Sequence, residues 1–477
     1  MKNIVEVIQS ETRGYVGKLA FVDGNRMITY AELLARTSEV SVELKKLAIK
    51  VGNRVALLCE DSIDYVILSL AVLKLSAVIV PIPFTSSKEE IEAVLREMKI
   101  NFFIFEKGVY VSHKAKRLKI KCGLDKKFLV LWRPSAGNPP REFFSMNPAF
   151  IRFSSGTTGV RKGVIISHKA IIQRTDAADK GLQVTSDDTV LWVLSMSFHF
   201  VVTILLFLRR GATIILAGNS FPESLLTALK EYRPSFIYAS PLYYHLLTRL
   251  ETVPREELAM VRIAISTAIE LPLEIAKEFC AKFGFQLSQA YGIIEVGLPF
   301  INTLQDISKR GSVGRILPDY QIKIINQDST SAGEICLRGK GLFSAYFSPW
   351  KSAQEIIKGG WFNTGDIGRL DKDGFLFLVG RANNIINYCG MKIFPYEVES
   401  IINQHPAIKE SLVFGIPHSQ YGQLPSAKIV LQNAETNFDA NEMRRFCYQH
   451  LAPYKVPKEF YCVSCLVKTP SGKLKRQ

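Results

Sequence analysis

The chain has 477 residues, 47% of them hydrophobic and 22% charged, a mixture that builds buried cores and excludes a disordered or fibrous protein. Its length predicts roughly two to four domains or subdomains. The 60 Lys and Arg residues against 44 Asp and Glu give a net charge of +16, which favours anionic partners: nucleotides, coenzyme A, acidic proteins or anionic membrane.

The densest basic run, residues 114–127, reads as a solvated loop or hairpin face. It lacks the interleaved aromatics of a single-strand nucleic-acid platform, so no nucleic-acid partner is expected. Of the eight cysteines only Cys462 and Cys465 stand in a C-x-x-C spacing, with no further ligands nearby to complete a zinc site. Alternation around Phe460 to Val463 suggests a strand, and buried thiols in a reducing compartment are the expectation. Residues 1–10 lack the apolar core of a secretory signal. The longest apolar stretches, 66–83 and 191–208, are interrupted by Lys74, Ser76 and Pro81 and by His199. They read as buried helix and strand segments, so a cytoplasmic chain without a transmembrane segment is expected.

In chain order, Thr29 is placed to cap a helix, with Glu32 three positions on. Residues 55–59 and 77–81 read as short apolar strands around a buried helix at 65–75, followed by a helix at 87–98 and a strand at 102–105. After residue 163 the alternation returns, with strands at 189–194, 212–216, 236–239, 263–266 and 285–289. Strands alternating with helices predict an α/β fold built on doubly wound parallel sheets. From about Gly311 short strands at 321–325 and 333–338 and the turn Asp371-Lys372-Asp373-Gly374 predict a small β-rich subdomain. Beyond Arg381 comes a compact α+β pattern: helices at 395–403 and 440–450, strands at 411–416 and 427–431.

The stretch from Phe150 to His168 organises the rest. Its apolar ends read as strands, and between them lie Ser154, Ser155, Gly156, Thr157, Thr158, Gly159, Lys162 and Gly163. Glycines let backbone N–H groups approach an anion, hydroxyls donate further bonds and Lys162 adds a point charge, a composition suited to phosphate. It is not a Walker A loop, because five positions after Gly156 comes Arg161, and Lys162 is followed by Gly163. Taken alone, the stretch reads equally as a glycine-rich hairpin.

Four further stretches follow in order: Gln289-Ala290-Tyr291-Gly292-Ile293-Ile294-Glu295; Gly360 to Asp366; Gly380-Arg381 with Gly390 to Glu399; and Thr469 to Arg476. Together the five resemble the adenylate-forming (AMP-binding) superfamily of acyl-CoA synthetases, aryl-acid ligases, peptide-synthetase adenylation domains and luciferases, nearly end to end. The resemblance implies attack of a carboxylate on the α-phosphate of ATP, giving acyl-adenylate and pyrophosphate, then transfer to the thiol of CoA or a carrier-protein phosphopantetheine. It implies that loop 154–163 with Lys162 holds phosphates and Glu295 contacts Mg²⁺. It further implies that Gln289, Ala290, Tyr291 and Gly292 flank adenine and Asp366 accepts from the ribose hydroxyls. Arg381 contacts ribose or phosphate, and Lys473 stabilises the charge developing between carboxylate and α-phosphate. A large ATP- and acid-binding domain (1–380), a hinge (381–384) pivoting at Asn383 and a small mobile α+β domain (385–477) are expected.

Three departures bear on the acid. Ile294 stands where the family has Thr, Arg161 replaces a common proline, and Ser266-Thr267-Ala268-Ile269-Glu270-Leu271-Pro272 lacks the family's glycines. Thr267, Ala268 and Ile294 are the expected acid-pocket wall. His199, between Phe198 and Phe200, is read as the pocket's gate or as a core histidine. No Asp stands there to pair with an amino acid's ammonium group. Val201, Val202, Ile204 and Leu205 suggest an apolar acid, fatty or aromatic, or else helix core. The acceptor is CoA or an acidic acyl carrier protein, and the chain is expected to be a monomer or homodimer. An adenylation-only or amino-acid-activating domain, and a degenerate nucleotide-binding module, are the alternatives.

Overall fold

The computed structural model describes every residue except 1, 111–116, 120–123, 134–136, 155–161, 219–221, 252, 268–270, 328–330, 390, 419, 434–437, 469–473 and 477. Among the described residues two nine-stranded sheets carry the first two thirds of the chain. In the first, six strands from Leu19–Asp23 to Ser288–Ile293 run parallel. Arg26–Thr29 closes one edge antiparallel, and Gly297–Asn302 and Arg315–Ile316 close the other. In the second, Arg54–Leu58, Val78–Pro81, Phe102–Glu106 and Pro148–Ser154 form the parallel centre.

Between the sheets lies the largest core. Phe21, Phe236 and Tyr238 of the first sheet and Val55, Ile79 and Phe150 of the second meet the helix Ile63–Lys74. Eleven of that helix's 12 residues are buried, which is why its sequence is apolar on every side. The helix Tyr30–Lys46 starts as predicted: Thr29 Oγ1 accepts from the Glu32 N–H while the Glu32 carboxylate accepts from the Thr29 N–H at 2.8 Å. Such a cap contributes about 1 kcal/mol.

The expected β-rich part forms a four-stranded antiparallel sheet of Tyr320–Ile325, Gly333–Gly339, Phe362–Leu370 and Leu376–Arg381. One piece of that stretch goes elsewhere. Ala345–Tyr346 pairs with the strand Lys162–Ser167 and so extends the second large sheet. The fourth sheet starts at Ile386–Tyr388 and has its own core, in which Ile393, Val398, Val413, Ile429 and Met443 meet.

Three local expectations are corrected. The strand placed at 285–289 runs Ser288–Ile293, because Phe285 packs on Phe279 at 5.3 Å and pairing with the neighbouring strand begins at Ile265↔Ser288. Cys462 and Cys465 are exposed rather than buried: Cys462 ends the strand Glu459–Cys462, which among the described residues pairs one neighbour at the margin of the fourth sheet, and Cys465 lies beyond it. Val201, Ile204 and Leu205 are fully buried core residues and Val202 packs against the same core. Of the two readings of this run, the helix-core one fits the structure.

Candidate active site

The strands Pro148–Ser154 and Lys162–Ser167 form an antiparallel hairpin whose last pair is Ser154↔Lys162. Ser155, Gly156, Thr157, Thr158 and Gly159 lie outside the described residues, as do Ala268 and Lys473. Lys162 Nζ sits 4.8 Å from the Tyr346 ring centre, and the Tyr346 hydroxyl donates to Glu295 Oε1 at 3.1 Å. Lys162 and Glu295 are thereby joined through one aromatic residue. Sequence reasoning missed Tyr346, because only the pairing of Ala345–Tyr346 with the hairpin strand carries it there.

The Glu295 turn is fixed from beneath. Arg174, fully buried on the helix His168–Leu182, donates from Nη1 to the Ile294 carbonyl at 3.0 Å and from Nε and Nη2 to the Gly341 carbonyl at 3.1 and 2.6 Å. The Phe343 N–H donates to the Glu295 carbonyl at 2.8 Å. The Ile294 carbonyl thus anchors this turn, and its half-buried side chain packs against the core. Gly292 is required: a Cβ there would collide with the Gly297 carbonyl.

A second cluster lies at the end of the four-stranded sheet. Asp366, 5% exposed, stands opposite Arg381 on the paired strand. Its Oδ1 receives Arg381 Nε at 2.7 Å and its Oδ2 accepts from the Tyr291 hydroxyl at 2.5 Å. Burial and the Asp366 charge push the Tyr291 phenol well above its usual range, so it stays a donor. Each carboxylate oxygen keeps a second lone pair for a further hydroxyl. Gln289 is buried and Ala290 half-buried on the same strand as Tyr291. Asn383 is exposed in the turn Ala382–Asn384 that follows Arg381.

The third cluster surrounds His199, the last residue of the helical turn Met196–His199. A π-turn follows it over Phe200–Ile204, a distortion frequent at functional sites. Trp192 and Tyr238 stack at 5.2 Å, and the half-buried imidazole meets both edge-on at 5.9 and 6.3 Å. Thr267, 7% exposed, hydrogen-bonds the Tyr238 hydroxyl, and burial raises that phenol to about 12. Asp61 takes the Met196 N–H at 2.9 Å, and burial pushes its carboxyl up to about 7. Arg152 donates from Nη1 to the Phe198 carbonyl at 2.7 Å. Arg152 carried a sequence signal, as a lone cation in the apolar strand run 150–153; Asp61 and Arg174 carried none.

Near Lys473, Lys468 and Leu474 form an antiparallel bridge. Arg476 then pairs with Glu399 through both nitrogens, each at 2.7 Å. Among the described residues no three His, Cys, Asp or Glu gather as a protein-built metal cage. One carboxylate beside a lysine and a phosphate-loop strand instead fits Mg²⁺ that arrives on phosphates. No helix among the described residues is long and apolar enough to cross a membrane.

Comparison with known proteins agrees with this geometry. The sequence model of the AMP-binding enzyme matches residues 8–347, and that of the AMP-binding enzyme C-terminal domain matches residues 397–473. The 4-coumarate–CoA ligase of Vanilla planifolia is 28% identical over 95% of this chain and 88% of its own length. The oxalate–CoA ligase of Arabidopsis thaliana is 28% identical over 96% and 93%. The structure of ATP-bound MatB from Rhodopseudomonas palustris superposes with a TM-score of 0.84 at 22% identity, covering 99% of this chain and 97% of that one. With the first model spanning well over half of the sequence, the chain belongs to the AMP-binding enzyme family.

Proposed function

We propose that the chain is an AMP-forming acid–thiol ligase, which joins a carboxylic acid to ATP as an acyl-adenylate, releases pyrophosphate and passes the acyl group to CoA. One observation carries this reading: Lys162 with Glu295, Asp366 with Tyr291 and Arg381, and His199 with the Tyr238 that Thr267 hydrogen-bonds form three clusters. They match, in order, the needs of phosphate, nucleoside and acid. The named CoA-ligase relatives, which span most of their own length against this chain, support CoA over a carrier protein as the acceptor.

Asp366 is placed to accept from ribose hydroxyls with its free lone pairs. Lys162 and loop 154–159 receive phosphate charge, and Glu295 holds Mg²⁺, which when bound shields the phosphates from the incoming carboxylate. Lys473 neutralises charge at the reacting centre, and the part beyond the 381–384 turn moves about Asn383 between the two half-reactions. His199, half-buried against the fully buried Trp192–Tyr238 stack, is the residue of this cluster placed to meet the acid. Acid-dependent exchange of labelled pyrophosphate into ATP, run over aryl, fatty and amino acids, tests the reading. Exchange with one class of acid and thioester formation on adding CoA are expected, and silence across every panel with AMP still bound would refute it.

A further inference from the structure

Arg152 is a cation where the strand has no structural use for one. The strand Pro148–Ser154 alternates, with Ile151 facing one core and Phe150 facing the core between the two large sheets. Arg152 shares the Phe150 side, two residues before the phosphate hairpin begins to turn. There its guanidinium lies 5.0 Å over the Phe198 ring and donates once, from Nη1 to the Phe198 carbonyl, one residue before His199. Among the described residues it pairs with no carboxylate; Glu295 and the Tyr65 phenol are the acidic groups whose fields reach it. Packing is close enough that burial pushes it down to about 10.

A guanidinium carries five N–H donors, and a shielded charge without an ion pair is costly. Arg152 is nevertheless half-buried, and none of its nitrogens is sealed away without a partner. Among the described residues the edge left over by the Phe198 carbonyl has no hydrogen-bond partner. Holding Phe198 alone needs one neutral donor, such as an amide. A planar fork of unused donors beside the acid pocket suits a carboxylate.

We propose that Arg152 receives a second carboxylate of the acid substrate, so that the preferred substrates are dicarboxylic acids with one carboxylate activated and the other held. The inference rests on the ligase reading above and narrows its acid. The other source of the same chemistry is the reacting carboxylate itself. Arg152 is set back along the strand from the phosphate hairpin, on the side of Phe198 and His199, which favours the distal group.

The test compares matched pairs in pyrophosphate exchange: butanoate with succinate, pentanoate with glutarate, and benzoate with terephthalate. Wild-type enzyme is expected to favour the dicarboxylate of at least one pair by about 10- to 100-fold in kcat/KM, the strength of a fork-to-carboxylate contact. Arg152→Met should erase that preference, lowering kcat/KM for each favoured dicarboxylate by about 10- to 100-fold more than for its matched monocarboxylate, and Arg152→Lys should retain part of it; AMP binding by calorimetry checks that each variant is folded. Wild-type enzyme that favours monocarboxylates throughout overturns the proposal without needing any variant. Equal losses for both members of each pair in Arg152→Met also overturn it, by assigning Arg152 to the reacting carboxylate. Wild-type silence with every acid removes the ligase reading itself and this inference with it.

Discussion

The pair between Arg476 and Glu399 ties the segment that carries Lys473 to the helix Pro395–Ile402, and its loss is expected to slow adenylation without weakening nucleotide binding. Both nitrogens of Arg476 reach Glu399 at 2.7 Å, and Glu399 Oε1 also accepts from the Val413 N–H at 2.7 Å. The side chains are 15% and 8% exposed, so solvent screens the pair little. Removing one member of such a pair costs about 2 to 3 kcal/mol at a rim position such as this, somewhat below a fully interior pair. The other polar tether, Lys468 with Glu410 at 2.7 Å, has side chains 48% and 24% exposed and is worth about 1 kcal/mol or less. Small contacts of Leu466 and Leu474 with Leu412 and Val430 complete the anchorage.

Arg476→Met therefore leaves the segment poorly docked, and about 2 to 3 kcal/mol corresponds to about 30- to 150-fold in rate. Pyrophosphate exchange at saturating acid should fall by about that factor while KM for ATP moves less than about threefold, because the nucleoside cluster lies in the larger part. Glu399→Gln should behave alike, and Arg476→Lys should recover part of the rate, since a point charge replaces the fork. Exchange at the wild-type rate in Arg476→Met would refute the reasoning.

Two further outcomes are expected. Asp366→Asn sets an amide donor against the Tyr291 hydroxyl or Arg381 Nε; AMP affinity measured by calorimetry should fall about 10- to 100-fold, and unchanged affinity would remove Asp366 from the nucleoside site. His168 is fully buried, accepts the Ile4 N–H at Nδ1 and is pushed by burial down to about 4 from 6.5. The unfolded chain takes up this proton first, so the stability is fully present above about pH 6.5 and is lost towards pH 4, by about 3 kcal/mol in all. Urea midpoints should show a shallower acid slope in His168→Gln, and identical slopes in the two proteins would exclude His168 as the source.

The sequence by itself determined the elements whose signals are local. Thr29 and Glu32 cap a helix because a hydroxyl and a carboxylate three residues apart reach each other's N–H groups whatever lies around them. The alternation of apolar strands and helices likewise imposed two large sheets around a nearly buried helix, and five ordered motifs along the chain carried the resemblance to the AMP-binding enzyme family. The tertiary structure alone decided what depends on partners far apart in the chain. Tyr346 stands between Lys162 and Glu295 because a two-residue strand leaves the β-rich stretch to pair with the hairpin. Arg174 supports Glu295 by bonding carbonyls more than a hundred residues away, which no spacing rule encodes. Cys462 lies in an alternating run like a core thiol but is exposed, because burial depends on what covers a strand and its strand lies at a margin. Val201 and Leu205 are apolar for a core and not for a substrate, and a single chain of letters spells both alike. Periodicity reports that a side chain is sheltered; only the packed neighbours say from what, and for which ligand the remaining space is kept.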